Sequence, residues 1–303
     1  MEEKLNSSLA EKLKKAEKLK QENIKIADVV REFDFDRSFK IRRCGTYLEY
    51  EQNIETQKVK LVKSNFCRER LCPLCAKRKS LKAYAEMKQS LEILENNKEG
   101  IKYKYLFLTL TIKNCSHEDL NDTVNLLLNS FNRMIRRKEF KNSIQGYYRN
   151  GEITYNIEED TFHPHIHCIL AVNSNYFKSS NYITKYKWQK LWQDCCDLDY
   201  LPILDIRQID ILNNNNAVCE VTKYAVKFKS VLTDTDRDVK ILESLHNAMY
   251  GKRLTTYGGI FKEARKKIKE QSIKIDSDVV MVEENFIRYS CLFVDGSYKV
   301  KVI

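Results

Sequence analysis

Apolar positions in this chain recur with two periods. From Tyr147 to Ile157, Ile153, Tyr155 and Ile157 alternate with Glu152, Thr154 and Asn156, the period-two pattern of a strand with one buried face. A second strand-like run, Phe162 to Leu170, follows the polar Glu158-Glu159-Asp160-Thr161, so the two are expected to form an antiparallel hairpin. Tyr103 to Lys113 and Leu201 to Leu212 also read as strands. Helical spacing appears where Leu120, Val124, Leu127, Phe131 and Ile135 share a face, behind a Ser116/Asp119 capping signal, and again over Ala76 to Glu95. Near the N-terminus Leu9, Leu13, Ala16 and Leu19 form a stripe, suited to a capping helix, a dimer contact or an unpacked extension. Asp295-Gly296 between two apolar runs signals a terminal hairpin. Strands with antiparallel neighbours, mixed with helices, indicate an α+β layered fold.

Composition narrows the partner. The chain has 303 residues, 43% of them hydrophobic, enough to bury a sizeable core, and no stretch approaches the length of a membrane span. A net charge of +11 suits a polyanion, and the cations bunch at Lys12 to Lys20, Arg133 to Lys141 and Lys252 to Lys269. Basic helical runs are also often plain solvated faces, so charge supports a nucleic-acid partner without choosing one.

Ten cysteines behind a Glu- and Lys-rich N-terminus with no apolar leader suggest a reducing, cytosolic setting. Cys44 followed by Cys67-x4-Cys72-x2-Cys75, turning at Pro73, has the spacing of a tetrahedral zinc site. A redox Cys72/Cys75 pair is the alternative, and it leaves the neighbouring thiols without a role. The other six, including the adjacent Cys195-Cys196, read as core or incidental residues.

Three of the five histidines fall in His163-Pro164-His165-Ile166-His167. On a strand His165 and His167 project to one side and can hold one metal ion. If the hairpin folds about residues 158–161, Glu152 lies opposite His167 and Thr154 opposite His165, which offers Glu152 as a third ligand, with His163 its rival. Two imidazoles and a carboxylate leave positions open for water or a phosphate oxygen, as a catalytic site requires. Two imidazoles favour a softer ion such as Mn²⁺, whereas cellular abundance favours Mg²⁺. Thr109 and Thr111 share one strand face near this point and are expected to be structural neighbours.

A second group sits at helical spacing: Glu220, Tyr224 and Lys227 at i, i+4 and i+7, flanked by Lys223, opposite the apolar Val218, Val221, Ala225 and Phe228. A phenol ordinarily ionises near pH ~10, and flanking lysines stabilise its phenolate, making Tyr224 a candidate nucleophile. Glu220, one turn earlier, is placed to accept a proton. The bland reading is an amphipathic helix with a packing tyrosine, one of seventeen in the chain.

Taken in order, Phe107-Leu108-Thr109-Leu110-Thr111, His163-Pro164-His165-Ile166-His167 and Glu220-x-x-Lys223-Tyr224-x-x-Lys227 resemble the three motifs of HUH endonucleases, in particular the initiator (Rep) proteins of Gram-positive rolling-circle plasmids. The cysteine segment before them, Trp188 and Trp192 between them, and Lys252-Arg253-x5-Gly259 after them extend the likeness over most of the chain. The resemblance implies a central antiparallel sheet of about five strands with packed helices. It also implies a site-specific nick through a 5′-phosphotyrosine on Tyr224, Mg²⁺ or Mn²⁺ on His165 and His167, and water activation by Glu220 at termination. The implied partners are origin DNA, single-stranded or in a hairpin at the nick, and host helicase and polymerase, with a homodimer possible. Expected regions are a helical extension (1–35), a zinc-binding element and helix (36–100), an endonuclease domain (101–230) and a basic helix and hairpin region (231–303). A conjugative relaxase or single-strand transposase with the same histidine pair is one alternative, the relaxase disfavoured because Tyr224 follows the histidines; a zinc-containing DNA-binding regulator without catalysis is the other.

Overall fold

A computed structural model describes residues 7–97, 100–210, 216–223, 235–277 and 286–303. The fold is α+β. Its elements in chain order are α1 (Ser7–Arg31), α2 (Phe35–Arg43), β1 (Tyr47–Asn53), β2 (Val59–Ser64), α3 (Pro73–Glu95), β3 (Tyr103–Thr111), α4 (Leu120–Met134), α5 (Lys138–Ser143), β4 (Ile144–Asn156), β5 (Thr161–Asn173), α6 (Lys185–Cys196), β6 (Leu204–Ile209), α7 (Asn216–Val221), α8 (Thr235–Met249), β7 (Thr255–Gly259), α9 (Ile260–Ser277), β8 (Phe286–Val294) and β9 (Ser297–Val302). Two compact units divide the chain, one of Met1–Arg78, Leu232–Glu243 and Asp278–Ile303, the other of Lys79–Val231 and Ser244–Ser277.

In the first unit an antiparallel sheet runs β2-β1-β8-β9. The stripe of α1 closes it: Leu9 and Leu13 pack with Leu48, Tyr50, Tyr289 and Tyr298. The capping-helix reading of that stripe is the one the fold uses. The β8–β9 hairpin turns at Asp295 and Gly296, both at positive φ, the conformation a tight two-residue turn demands. Because β8 pairs with β1, the C-terminal hairpin belongs with the N-terminal residues and not with the basic helix that precedes it.

The second unit is built on a five-stranded sheet, β6-β3-β5-β4-β7, with every neighbour antiparallel. Four of its strands were expected from the sequence; β7, Thr255-Thr256-Tyr257-Gly258-Gly259, was not. The glycines are what let it pair. A Cβ on Gly258 would stand 2.1 Å from the Tyr147 ring, and Gly259, at φ +53°, would meet the Gln145 carbonyl at 2.1 Å.

Strand alternation separates two faces. On one, Tyr105, Phe107, Tyr148, Ile169 and Ala171 form a core with Met87, Leu91 and Leu94 of α3, Val218 and Val221 of α7, and Phe261 and Ala264 of α9. On the other, Tyr147 meets Phe131 of α4 edge-on at 5.3 Å, and the buried Trp192 of α6 donates its indole N–H to Thr111 O at 2.9 Å. Helices thus cover both faces. Helix α4 begins at Leu120 with Asp119 as its cap residue, later than the Ser116 signal suggests, because Ser116 Oγ bonds Asp119 itself.

The β4–β5 register differs from the sequence expectation. Glu152 pairs with His165, Asn150 with His167 and Thr154 with His163. The connection is the four residues between Asn156 and Thr161: Asn156 Oδ1 accepts the amide hydrogens of Glu158 and Glu159, and Asp160 takes φ +51°. Asp160 is then clamped by Tyr155 Oη at 2.5 Å and by His117 at 2.9 Å. The loop is centred one residue earlier than a fold about 158–161, which moves each cross-strand partner by two. A shift of two preserves the face, so Glu152 still lies on the histidine side.

Candidate metal centre

Glu152, His165 and His167 bring one ligand atom each to within 4.8 Å of one another. Glu152 Oε2 lies 3.5 Å from His165 Nε2 and 3.3 Å from His167 Nε2. Two donors ~2.1 Å from a common ion, at octahedral to tetrahedral angles, stand about 3.0–3.4 Å apart, so the spacing fits a shared cation. The carboxylate is 2% exposed and the imidazoles each 10%, enough for a small ligand to reach the histidine side.

The other ring nitrogens are held from behind. His165 Nδ1 lies 3.0 Å from the His163 carbonyl, which can only accept, so Nδ1 bears a proton and Nε2 is the nitrogen turned toward Glu152, the one a neutral ring would offer to a metal. Thr109 Oγ1, on β3, is 3.1 Å from His167 Nδ1. Cross-strand pairing explains the contact, since Thr109 is opposite His167 and Thr111 opposite His165. Such outer contacts orient ligating imidazoles. Thr109 is therefore a hydrogen-bonded support of His167, more than the packing neighbour its strand propensity suggested, whereas Thr111 turns its hydroxyl to Ile203 O.

His163 points elsewhere. Its Nδ1 bonds Asn114 Oδ1 at 2.8 Å, and burial, with the neighbouring His165 second, holds its pKa below the ordinary histidine value. Glu152, not His163, reaches the imidazole pair.

The residues of the third motif fall partly within view. Helix α7 packs Val218 and Val221 on the sheet face that carries the histidines, and Glu220 forms an ion pair with Lys223. Asn150 donates its side-chain amide to Lys223 O at 2.9 Å and accepts from Thr255 Oγ1 at 2.9 Å. Tyr224 and Lys227 lie outside the described residues. Asn150 was missed in the sequence: its only signal there is parity with Glu152 on one strand face, which many polar strand residues share.

In the first unit Cys44, Cys67, Cys72 and Cys75 converge, with Cys75 Sγ at 3.6 Å from Cys44 Sγ and 3.7 Å from Cys67 Sγ. Four thiolates ~2.3 Å from one tetrahedral ion would stand about 3.8 Å apart. Backbone amides point at the sulfurs, Cys67 N–H to Cys44 at 3.4 Å and Arg68 N–H to Cys75 at 3.2 Å, the latter from a residue at φ +63°. Hydrogen bonds from Cys44, Cys67 and Cys72 hold the Cys75 thiol well below its ordinary pKa. Pro73 opens α3, where its missing N–H costs nothing.

The family model described as replication protein matches residues 58–292. The chain belongs to that family, the Rep replication proteins of Gram-positive plasmids. It is 33% identical over 269 residues to "Protein rep" of Streptococcus pneumoniae, covering 87% of this chain and 82% of that protein. It is 34% identical over 278 residues to "Protein rep" of Lentilactobacillus hilgardii, covering 88% and 87%. With "Protein rep" of Bacillus amyloliquefaciens it shares 35% over 264 residues, covering 81% and 76%. No solved structure matches the chain.

Proposed function

We propose that this replication protein is a rolling-circle initiator of the HUH endonuclease type, nicking and rejoining one strand of its plasmid origin. The observation that carries the reading is the buried Glu152 carboxylate between two imidazoles whose Nε2 atoms face it. A divalent ion, Mg²⁺ or Mn²⁺, held by Glu152, His165 and His167 would supply Lewis-acid polarisation of the scissile phosphate.

The chain's own residues do the rest. The Tyr224 phenolate oxygen attacks the phosphorus, forming a P–O bond as the bond to the 3′ oxygen breaks. The products are a 5′-phosphotyrosine and a 3′-hydroxyl that takes up a proton and primes synthesis. Lys223 and Lys227 favour the phenolate by their charge. At termination Glu220 accepts a proton from water, and that water displaces tyrosine from phosphorus, releasing the protein. The contact between Lys223 and Glu220 supports this role by fixing where the Glu220 side chain stands. Zn²⁺ on the four cysteines fits as a structural ion, since the four thiolates leave no position open. Host helicase and polymerase would act on the freed strand, in the cytoplasm.

Covalent capture tests the reading. Labelled single-stranded origin DNA with Mn²⁺ is expected to give an SDS-resistant adduct, lost in Tyr224→Phe and in His165→Ala. An adduct that persists in Tyr224→Phe, or its absence from the parent protein on its own plasmid origin, would overturn it.

A further inference from the structure

We propose that Phe177 and Tyr182, after β5, form a stacking platform for single-stranded DNA. This rests on the origin-DNA reading above but not on cleavage chemistry. The two rings lie 5.7 Å apart and are 37% and 40% exposed. Both pack edge-on against Tyr176, at 5.2 and 5.4 Å, which is buried and accepts the Ile183 N–H at 3.1 Å through its hydroxyl. Ser179 Oγ bonds Tyr176 O at 2.9 Å, the Tyr182 amide bonds Ser179 O at 3.2 Å, and Ser143 Oγ bonds Asn181 O at 2.7 Å. The loop is thus hydrogen-bonded into one shape, and that shape turns aromatic surface outward.

Exposed single aromatics are ordinary on protein surfaces. This pair is set apart by its electrostatics. Lys104 Nζ sits 5.3 Å from the Phe177 centroid, and Lys178, Lys185 and Lys187, close to the two rings in sequence, are exposed. No acidic residue occurs between Asp160 and Asp194. Rings on a segment that carries lysines and no carboxylate of its own match a strand that offers base faces and phosphates together. A duplex hides its base faces in its own stack, so it would use the lysines and gain little from the rings.

The platform is separate from the metal centre. From His167 to Asn173, β5 carries the chain about 20 Å at ~3.3 Å per residue before this loop begins. It would therefore hold nucleotides several positions from the scissile phosphate.

The test uses the full chain, without divalent ion, and a fluorescein-labelled 20-nucleotide oligothymidylate read by anisotropy beside its duplex with oligoadenylate. Phe177→Ala with Tyr182→Ala is expected to weaken single-strand binding about tenfold or more and duplex binding less than about twofold. Tyr182→Phe should bind as the parent does. Phe177→Leu keeps apolar packing on Tyr176 and removes only the π face, so it should still lose several-fold if the double variant proves unstable. Lys185→Ala with Lys187→Ala should lower the salt slope by about 1.4, at ~0.7 per lost phosphate contact on a single strand. Parent-like single-strand binding by a stably folded ring variant, or equal losses on single strand and duplex, would overturn the proposal. Covalent capture with the same variants at saturating DNA separates the two readings: a missing adduct from the parent sinks cleavage while leaving the platform result standing.

Discussion

Asn150 stands directly across the β4–β5 ladder from His167 and donates to the backbone carbonyl of Lys223. One side chain thus links the strand pair carrying the metal ligands to the residue before Tyr224. Asn150 is 6% exposed, and its oxygen is held by Thr255, so its amide cannot turn away without leaving a buried group unpaired. Asn150→Ala is expected to slow adduct formation by about tenfold or more, at 1.4 kcal/mol per tenfold, while leaving Mn²⁺ affinity by calorimetry near the parent's. Equal loss of metal affinity would show that Asn150 acts on the ligands instead.

Glu152→Gln retains shape and removes the negative charge from the ligand set. Saturating Mn²⁺, at about 100 times its Kd, should stabilise the parent by about 2.7 kcal/mol, seen as a rise in Tm. That rise is expected to vanish in Glu152→Gln and in His167→Ala. A full shift in either variant would place the ion elsewhere.

Thr109→Val removes the hydroxyl 3.1 Å from His167 Nδ1 and keeps the strand-favouring branched shape. Metal affinity should fall about 10-fold or more, with Tm of the metal-free protein changed little. A parent-like affinity by calorimetry would return Thr109 to a packing role.

Thiol chemistry checks the cysteine cluster. Burial pushes the Cys291 thiol up to about 11 and that of Cys196 up to about 12, so both should resist alkylation near pH 8, whereas the exposed Cys219 should react at once. Folded pKa values above the unfolded one favour the fold below pH ~8.5, and that contribution fades as pH rises through 11 to 12. Chelation should add Cys44, Cys67, Cys72 and Cys75 to the labelled set, read by mass spectrometry, with release of Zn²⁺. Protection of those four that is indifferent to chelator would argue against a bound ion.

Gly259→Ala forces a Cβ onto the Gln145 carbonyl at a positive φ and is expected to cost about 2–4 kcal/mol of stability by chemical denaturation. The damage should spread to metal binding, since β7 borders β4. A loss below about 0.5 kcal/mol would mean that β7 pairs loosely.

Alternation and charge along the chain were enough to read the layered α+β class, the β4–β5 hairpin, the side on which His165 and His167 project and the convergence of the four cysteines, because these follow from local periods and short spacings. Parity on a strand survives a misplaced turn, so Glu152 was legible as a ligand candidate although its partner was not. The register itself was decided by how the loop closes, with Asn156 bonding its own turn and His117, far off in sequence, holding Asp160. Tertiary structure alone also recruited β7, whose two glycines leave the room that Tyr147 and Gln145 take up. It likewise set Thr109 behind His167, put Asn150 under Lys223 and sent the C-terminal hairpin back to β1. Each of these is a long-range pairing that stabilises only after the chain has closed on itself, and no local pattern encodes it.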